Sequence, residues 1–152
     1  MGKDSPQAQT PPSRSDTRQA MSQENAEITR RMGEAFNAGG LDAARQYYHP
    51  QIEWHEDPSF PEAGVYRGID EVIAYNRQFV SEFEDLRYEA EELTATGEHV
   101  VANMRITGTG KTSGAGFELS AWWAFTIRDG QVVQVYAYLD KDAAFEAVGL
   151  SD

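Results

Sequence analysis

Cysteine is absent from the 152 residues, histidine occurs only three times, and Lys and Arg together number 13. Without cysteine the chain has no disulfide framework, thiol nucleophile or Cys-based zinc site, which fits a reducing compartment and predicts a cytoplasmic protein. The shortage of basic residues leaves a net charge of -12, which argues against binding that relies on clustered Lys and Arg at phosphate groups. We therefore expect neither nucleic acid nor an anionic membrane as a partner.

Long apolar runs are missing as well. No segment approaches the roughly 18 apolar residues of a membrane span, and the N-terminus has no apolar signal-peptide core. The length suits one domain with a sizeable core. Residues 1–23 are rich in Pro, Ser, Thr and Gln and nearly free of large apolar groups, so we expect a disordered tail. The folded domain is then expected over residues 24–150.

The first half of this domain has helical periodicity. Apolar residues recur at helical spacing over residues 28–36, Ser22 is the predicted N-cap, and Gly39 and Gly40 end the helix. A short second helix, a strand over QIEWHED, a proline-rich loop and a third amphipathic helix after Gly68 are expected to follow.

The second half alternates with period two, which predicts four antiparallel strands joined as a meander. Asp129 and Gly130 form a hairpin signal between the last two strands, and Asp140 is the predicted cap of a short helix that ends at Gly149. Three helices on the concave face of a curved antiparallel sheet make a cone whose open end can become a pocket. The sequence therefore predicts an α+β fold: a cone-shaped sheet, three covering helices from the N-terminal half and a short C-terminal helix.

The string GTGKT in the second half is similar to a phosphate-binding loop. Such a loop needs a glycine five positions before Gly110 and a helix after it, but that position is Arg105 and the following residues alternate as a strand. We predict a glycine-rich hairpin loop here and no nucleotide site.

The segment IEWHEDP has the densest chemical content in the chain. His55, Glu56 and Asp57 follow one another beside Trp54. A carboxylate among aromatic groups has a raised pKa and can transfer protons, so Asp57 is the first candidate for an acid or base, with His55 assisting or orienting it. Because side chains alternate along a strand, either Glu56 or Asp57 should face inward, and the sequence leaves open which one. Asp57 before Pro58 is also a common turn starter.

A set of aromatic and apolar residues is expected to line the pocket and to hold a small apolar molecule. The predicted ligand contacts are Trp54, Phe36, Tyr66, Tyr75, Phe79, Met104 and Trp123. A two-His-one-carboxylate site would need His49 or His99 to converge with His55, which their positions disfavour, so we expect no metal and no cofactor.

The two faces of the predicted sheet differ in composition. Trp123 belongs to a continuous apolar face, whereas Trp122, Tyr136 and Tyr138 stand among polar residues on the other face. Amphipathic aromatic residues suit interfaces, so this second face predicts a homodimer. The alternative is that the terminal helix or the tail covers it.

Three runs together carry a family resemblance: NAGGLDAARQYYHPQIEWHEDP, VYRGIDEVIAYNRQF and WWAFTIRDGQVVQVYAYLDKDAAFEAVGL. They resemble the SnoaL-like branch of the nuclear transport factor 2 (NTF2-like) superfamily, over about residues 24–150. The family includes polyketide cyclases and is similar in fold to ketosteroid isomerase. The resemblance implies a cone-shaped, cystatin-like α+β fold that is often dimeric.

The resemblance also bears on the site. Asp57 before Pro58 matches a catalytic aspartate and proline of ketosteroid isomerases. The two oxyanion donors of those enzymes fall here on Met32 and near Trp123, neither of which can donate the strong hydrogen bond required. The resemblance thus disfavours steroid isomerisation. The Asp-Arg-Asp set of related epoxide hydrolases has no counterpart on a predicted core strand either.

Three functions stay open at this point. The first is a cyclase or isomerase that transfers a proton on a small, largely apolar carbonyl compound. The second is a noncatalytic, dimeric pocket protein that binds a hydrophobic ligand. The third is a scaffold module whose N-terminal tail recruits a partner. The fold alone does not choose among them, because such folds host many functions.

Overall fold

The three-dimensional structure is a computed structural model that describes residues 14–151. In chain order the elements are α1 (Arg14–Ala44), a 3-10 helix (Arg45–Tyr47), β1 (Tyr48–Glu56), β2 (Gly64–Arg67), α2 (Ile69–Val80), β3 (Phe83–Thr96), β4 (His99–Gly110), β5 (Gly116–Arg128), β6 (Gln131–Tyr138) and α3 (Lys141–Ala147). This order of helices, strands and closing helix confirms the predicted α+β fold.

All six strands form one sheet in the order β2-β1-β6-β5-β4-β3. The meander of β3 to β6 is antiparallel, as predicted, and β1 lies parallel to β6. Strand β2 was not predicted, because its four residues begin with Gly64 and are followed by Gly68, so they resemble a loop. It pairs antiparallel with β1 at the sheet edge, where Trp54 lies opposite Tyr66.

The long helix α1 bends where two glycines were predicted to end it. Gly40 has φ 74° and ψ -163°, a backbone conformation that glycine adopts without the strain a side chain would add. The four residues that follow are helical again and continue into the 3-10 helix. The predicted break and short second helix are therefore present.

The N-terminal boundary of the domain differs from the prediction. Helix α1 already includes residues 14–23, which were assigned to a disordered tail. Ser22 is not an N-cap but an internal residue whose Oγ accepts a hydrogen bond from Gly97 N at 2.7 Å. Asn25 Nδ2 donates to Gly97 O at 2.9 Å, so the turn between β3 and β4 anchors this part of the helix. Residues 1–13 lie outside the described residues, and their predicted disorder stays a prediction.

The main core fills the space between the concave face of the sheet and helices α1 and α2. Ile52, Val72 and Val135 are fully buried there, and Trp123 lies on the same face, as predicted. A smaller cluster lies on the opposite face, which we call the outer face, where Ala144 and Phe145 of α3 cover the middle of the sheet. The cone thus has an apolar interior with covering elements on both sides.

Candidate functional site

A cavity of about 800 Å³ opens between the concave face and helices α1 and α2. Aromatic side chains supply much of its wall: Phe36, Tyr48, Trp54, Phe60, Tyr75, Phe79, Phe83, Tyr88, Phe117, Trp123 and Phe125. Its charged lining residues other than Glu56 are solvent-exposed, so they mark the mouth. A cavity of this size and composition suits a small organic molecule.

The orientation of strand β1 determines which side chains of the WHEDP segment face this cavity. Alternation sends Ile52, Trp54 and Glu56 to the concave side, where Trp54 and Glu56 line the cavity. His55 goes to the outer face and stacks on Tyr136, with ring centroids 4.3 Å apart. The structure therefore places His55 on the opposite side of β1 from the cavity that Trp54 and Glu56 line.

Glu56 is the carboxylate that faces the cavity. Its Oε1 accepts a hydrogen bond from Tyr75 Oη at 2.8 Å and another from Trp54 Nε1 at 3.2 Å. Burial raises the pKa of Glu56, and these hydrogen bonds offset only part of that effect, so the pKa lies above its ordinary value. The carboxyl is thus held in one orientation and keeps its proton to a higher pH than an exposed glutamate does.

Asp57, the first candidate of the sequence, is engaged in a turn. Its Oδ1 accepts hydrogen bonds from Ser59 N at 2.8 Å and Ser59 Oγ at 2.7 Å, and its Oδ2 accepts one from Leu139 N at 2.9 Å. Partial burial raises the pKa of Asp57, but these three hydrogen bonds outweigh it and bring the pKa below its ordinary value. Asp57 is outside the cavity lining, so its position fits the turn-starter alternative.

Replacing Asp57 with Ala is expected to lower the free energy of unfolding by about 1–3 kcal/mol, because three hydrogen bonds to a charged acceptor are lost. Since the folded state lowers its pKa from 3.8, this stabilisation is present above that value and disappears as pH falls through the lowered pKa. Urea unfolding at several pH values measures it. Ser59→Ala removes only the Oγ bond and should cost less. Equal stability of Asp57→Ala and wild type would contradict the stabilising role of Asp57 in this turn.

Six of the seven predicted ligand contacts line the cavity: Phe36, Trp54, Tyr75, Phe79, Met104 and Trp123. The seventh, Tyr66, lies behind Tyr75 on β2, stacks on it with ring centroids 4.1 Å apart, and donates to Glu62 O at 2.6 Å. Tyr66 thus contacts the back of a cavity residue. Whether any of the seven binds a ligand stays a prediction.

The wall residues of the cavity that sequence reasoning missed include Tyr48, Asn76, Tyr88 and Phe125. Tyr88 belongs to the strand FEDLRYEAEELTAT. The many acidic residues of this strand made its inward-facing apolar side hard to recognise in the sequence. The period-two alternation of Leu86, Tyr88 and Ala90 was the available signal, because all three pack against the core.

Other predicted features map onto the surface or onto no site. Residues 108–110 of GTGKT end β4, Lys111 and Thr112 begin the turn to β5, and a strand follows, so this loop does not open a helix. Within residues 14–151 no group of three or more His, Cys, Asp or Glu side chains could hold a metal ion. None of the helices described is both long and apolar enough to cross a membrane.

The outer face holds the residues predicted for a dimer. Trp122 packs near Phe145 of α3, with ring centroids 6.4 Å apart, and Lys141 Nζ lies 5.1 Å above the Trp122 ring. The terminal helix therefore covers part of this face, which was the stated alternative. Tyr136 and Tyr138 are half-buried beside it, and a homodimer stays a prediction.

Solved structures share this architecture. One is a candidate SnoaL-like polyketide cyclase from Jannaschia sp. CCS1, 25% identical, with a TM-score of 0.68 over 87% of this chain and 96% of that one. Another is an NTF2-like protein from Burkholderia xenovorans LB400, 27% identical, with a TM-score of 0.61 over 83% and 95% of the two chains. TerC, co-crystallized with polyporic acid, is 19% identical, with a TM-score of 0.65 over 80% and 95%.

No curated protein matches the sequence. The model of the SnoaL-like domain matches residues 29–135, which include β1, the cavity-lining part of α2 and most of the meander. This match covers well over half of the chain and agrees with the folds of the solved structures. The protein belongs to the family of SnoaL-like domains.

Proposed function

We propose that this protein is a cofactor-independent acid/base catalyst of the cyclase or isomerase type, acting on a small, largely apolar carbonyl compound. One observation carries the proposal: Glu56, a carboxyl group with a raised pKa, faces an aromatic cavity of about 800 Å³. A carboxyl whose pKa is moved towards neutral pH can both take and return a proton efficiently.

The hydrogen bonds around Glu56 support this role. Tyr75 and Trp54 both donate to Oε1, so Oε2 is the carboxyl oxygen to which neither of these side chains donates. The proposed reaction begins when Oε2 takes a proton from the carbon beside the carbonyl group. The electron pair of the broken C–H bond forms a C=C bond, and the carbonyl π pair moves to oxygen. Glu56 then returns the proton to carbon, so no oxidant, reductant or second substrate is required.

The cavity wall supports a mainly apolar substrate. Trp54 and Trp123 meet edge to face with ring centroids 5.2 Å apart. The ring of Phe125 lies 6.2 Å from that of Trp123, and only 2% of the surface of Phe125 is exposed. Such a surface stabilises a ring system by burying apolar area. The complex of TerC with polyporic acid adds support for a small organic ligand in this fold.

Hydrogen–deuterium exchange tests the proposal without the natural substrate. The protein is incubated in D₂O with 2-tetralone, a fused-ring ketone, and NMR follows the loss of the protons beside the carbonyl group. We expect the folded protein to accelerate exchange above the buffer rate, with heat-denatured protein as the control. Binding of the ketone without accelerated exchange would instead support a noncatalytic ligand-binding function.

That second function has its own supporting observation, since six predicted contact residues line one cavity. In either case we propose a homodimer formed through Trp122, Tyr136 and Tyr138 on the outer face, because these amphipathic side chains are only half-buried by α3. Sedimentation velocity measures the state in solution, and a monomer at micromolar concentration would contradict the dimer.

A further inference from the structure

Three tyrosines line the cavity, and their hydroxyl groups differ. Tyr48 Oη donates to Asn76 Oδ1 at 3.2 Å, and Tyr75 Oη donates to Glu56 Oε1 at 2.8 Å. The Tyr88 hydroxyl has no hydrogen-bond partner in the part of the chain that the structure describes, residues 14–151. Since Tyr88 also lines the cavity, its O–H group is a donor still available to a ligand.

The position of Tyr88 is fixed by its neighbours. The side chain of Asn37 of α1 binds both backbone polar groups of Tyr88. Its Nδ2 donates to Tyr88 O at 2.9 Å, and its Oδ1 accepts from Tyr88 N at 3.0 Å. Phe36 meets the tyrosine ring edge to face, with centroids 4.8 Å apart, and Trp123 lies 5.7 Å away on the other side. A donor held in this way loses little conformational entropy when a ligand binds.

The surroundings keep this hydroxyl protonated. Burial raises the pKa of Tyr88, and nearby Tyr48 and Glu56 raise it further, so the group acts as a donor at every physiological pH. A hydrogen bond in a low-dielectric cavity is stronger than the same hydrogen bond in water. A ligand oxygen beside Tyr88 would therefore be favoured.

Tyr88 and Glu56 face the same aromatic cavity from different strands. Glu56 is on β1 and Tyr88 on β3, with three strands between them in the sheet, yet Glu56 is near enough to raise the pKa of Tyr88. Trp123 contacts both sides of this site, 5.2 Å from Trp54 and 5.7 Å from Tyr88 by ring centroids. A flat fused-ring ketone resting on Trp123 would present its carbonyl oxygen to Tyr88 and the adjacent carbon to Glu56.

We propose that the Tyr88 hydroxyl binds the carbonyl oxygen of the ligand and stabilises the negative charge that forms on it. This rests on the proposed function of Glu56 as the proton-transferring group. As Glu56 removes the proton, charge moves to the oxygen, where the hydrogen bond from Tyr88 shortens and strengthens. Tyr88 thereby selects fused-ring compounds that carry an acceptor oxygen over hydrocarbons of the same shape.

Calorimetric titration of a matched ligand pair tests this. 2-Tetralone and tetralin share one ring skeleton, and only the ketone has an oxygen. We expect Tyr88→Phe to weaken 2-tetralone binding about 3- to 10-fold, as one lost hydrogen bond implies, and to leave tetralin binding unchanged. Tyr47→Phe, which removes a hydroxyl outside the cavity lining, should change neither affinity.

A spectroscopic measurement on the wild type provides a second test. The infrared carbonyl stretch of bound 2-tetralone should lie below its value in an apolar solvent, and Tyr88→Phe should move it back. An equal loss of affinity for both ligands, no change for either, an unshifted carbonyl stretch or no ketone binding to the wild type would overturn the proposal. Because these readouts need no proton transfer, a failure of the Glu56 function alone would appear as lost exchange with the Tyr88 effects intact.

Discussion

Replacing Glu56 with Gln is expected to slow the exchange of 2-tetralone protons by about 10²-fold or more, the usual contribution of a positioned acid or base. Gln has nearly the same shape and can still accept from Tyr75 and Trp54, as Oε1 does in the wild type. It cannot take a proton from carbon. The exchange rate is followed by NMR at equal protein concentration and equal ketone saturation.

Asp57→Asn is the matched control. It replaces the neighbouring carboxylate, whose oxygens are bound by Ser59 and Leu139 and which lies outside the cavity lining. We expect this variant to exchange at the wild-type rate. If Asp57→Asn abolishes exchange while Glu56→Gln leaves it intact, the assignment of the base to Glu56 is wrong.

The difference in stability between wild type and Glu56→Gln depends on pH, because only the wild type has the Glu56 carboxyl. Its ordinary pKa of 4.5 is raised in the folded state, so the stabilisation linked to its proton is complete below 4.5 and is lost as pH rises through the raised pKa. Wild type should therefore become less stable relative to Glu56→Gln across this interval. Catalysis needs the carboxylate, so the exchange rate should rise over the same interval.

Replacing Phe125 with Ala is expected to lower the free energy of unfolding by about 3–5 kcal/mol. Phe125 is 2% exposed and is the largest of the fully buried side chains, and its ring lies 6.2 Å from that of Trp123. Removing the Phe125 ring reduces the buried apolar area and leaves a void that joins the existing cavity. Urea unfolding followed by tryptophan fluorescence measures the loss.

Phe117→Ala is the comparison on the same strand. Phe117 is half-buried among the rings of Phe79 and Phe83, so its truncation exposes less new surface and should cost less. Equal losses for the two variants would contradict the assignment of Phe125 to the buried core and of Phe117 to a half-buried part of the cavity wall.

Local sequence signals predicted much of the architecture. The glycine pair marked the bend of α1, and Asp140 caps α3 through a hydrogen bond from Ala143 N at 2.9 Å. Period-two alternation identified the meander and the apolar face of Trp123. These features were predictable because turns, caps and alternation depend on residues a few positions apart.

Features that depend on distant partners were not predictable. Residues 14–23 have a composition typical of a tail, yet Ser22 and Asn25 bind the turn at Gly97, more than 70 positions away. The strand β2 is too short to be recognised without β1 beside it. In both cases the stabilising contact lies outside any local window, which is why tertiary structure overrides local preference.

The candidate site shows the same division. By itself, the sequence determined that acid/base groups are concentrated in WHEDP, that Glu56 and Asp57 point to opposite sides of their strand, and that an apolar pocket should lie beside them. Only the tertiary structure decided which side is inside, because that depends on where α2 and Tyr75 pack against β1. The curvature of the six-stranded sheet then brings Tyr88 into the same cavity as Glu56. The spacing of these two residues along the chain does not predict this proximity.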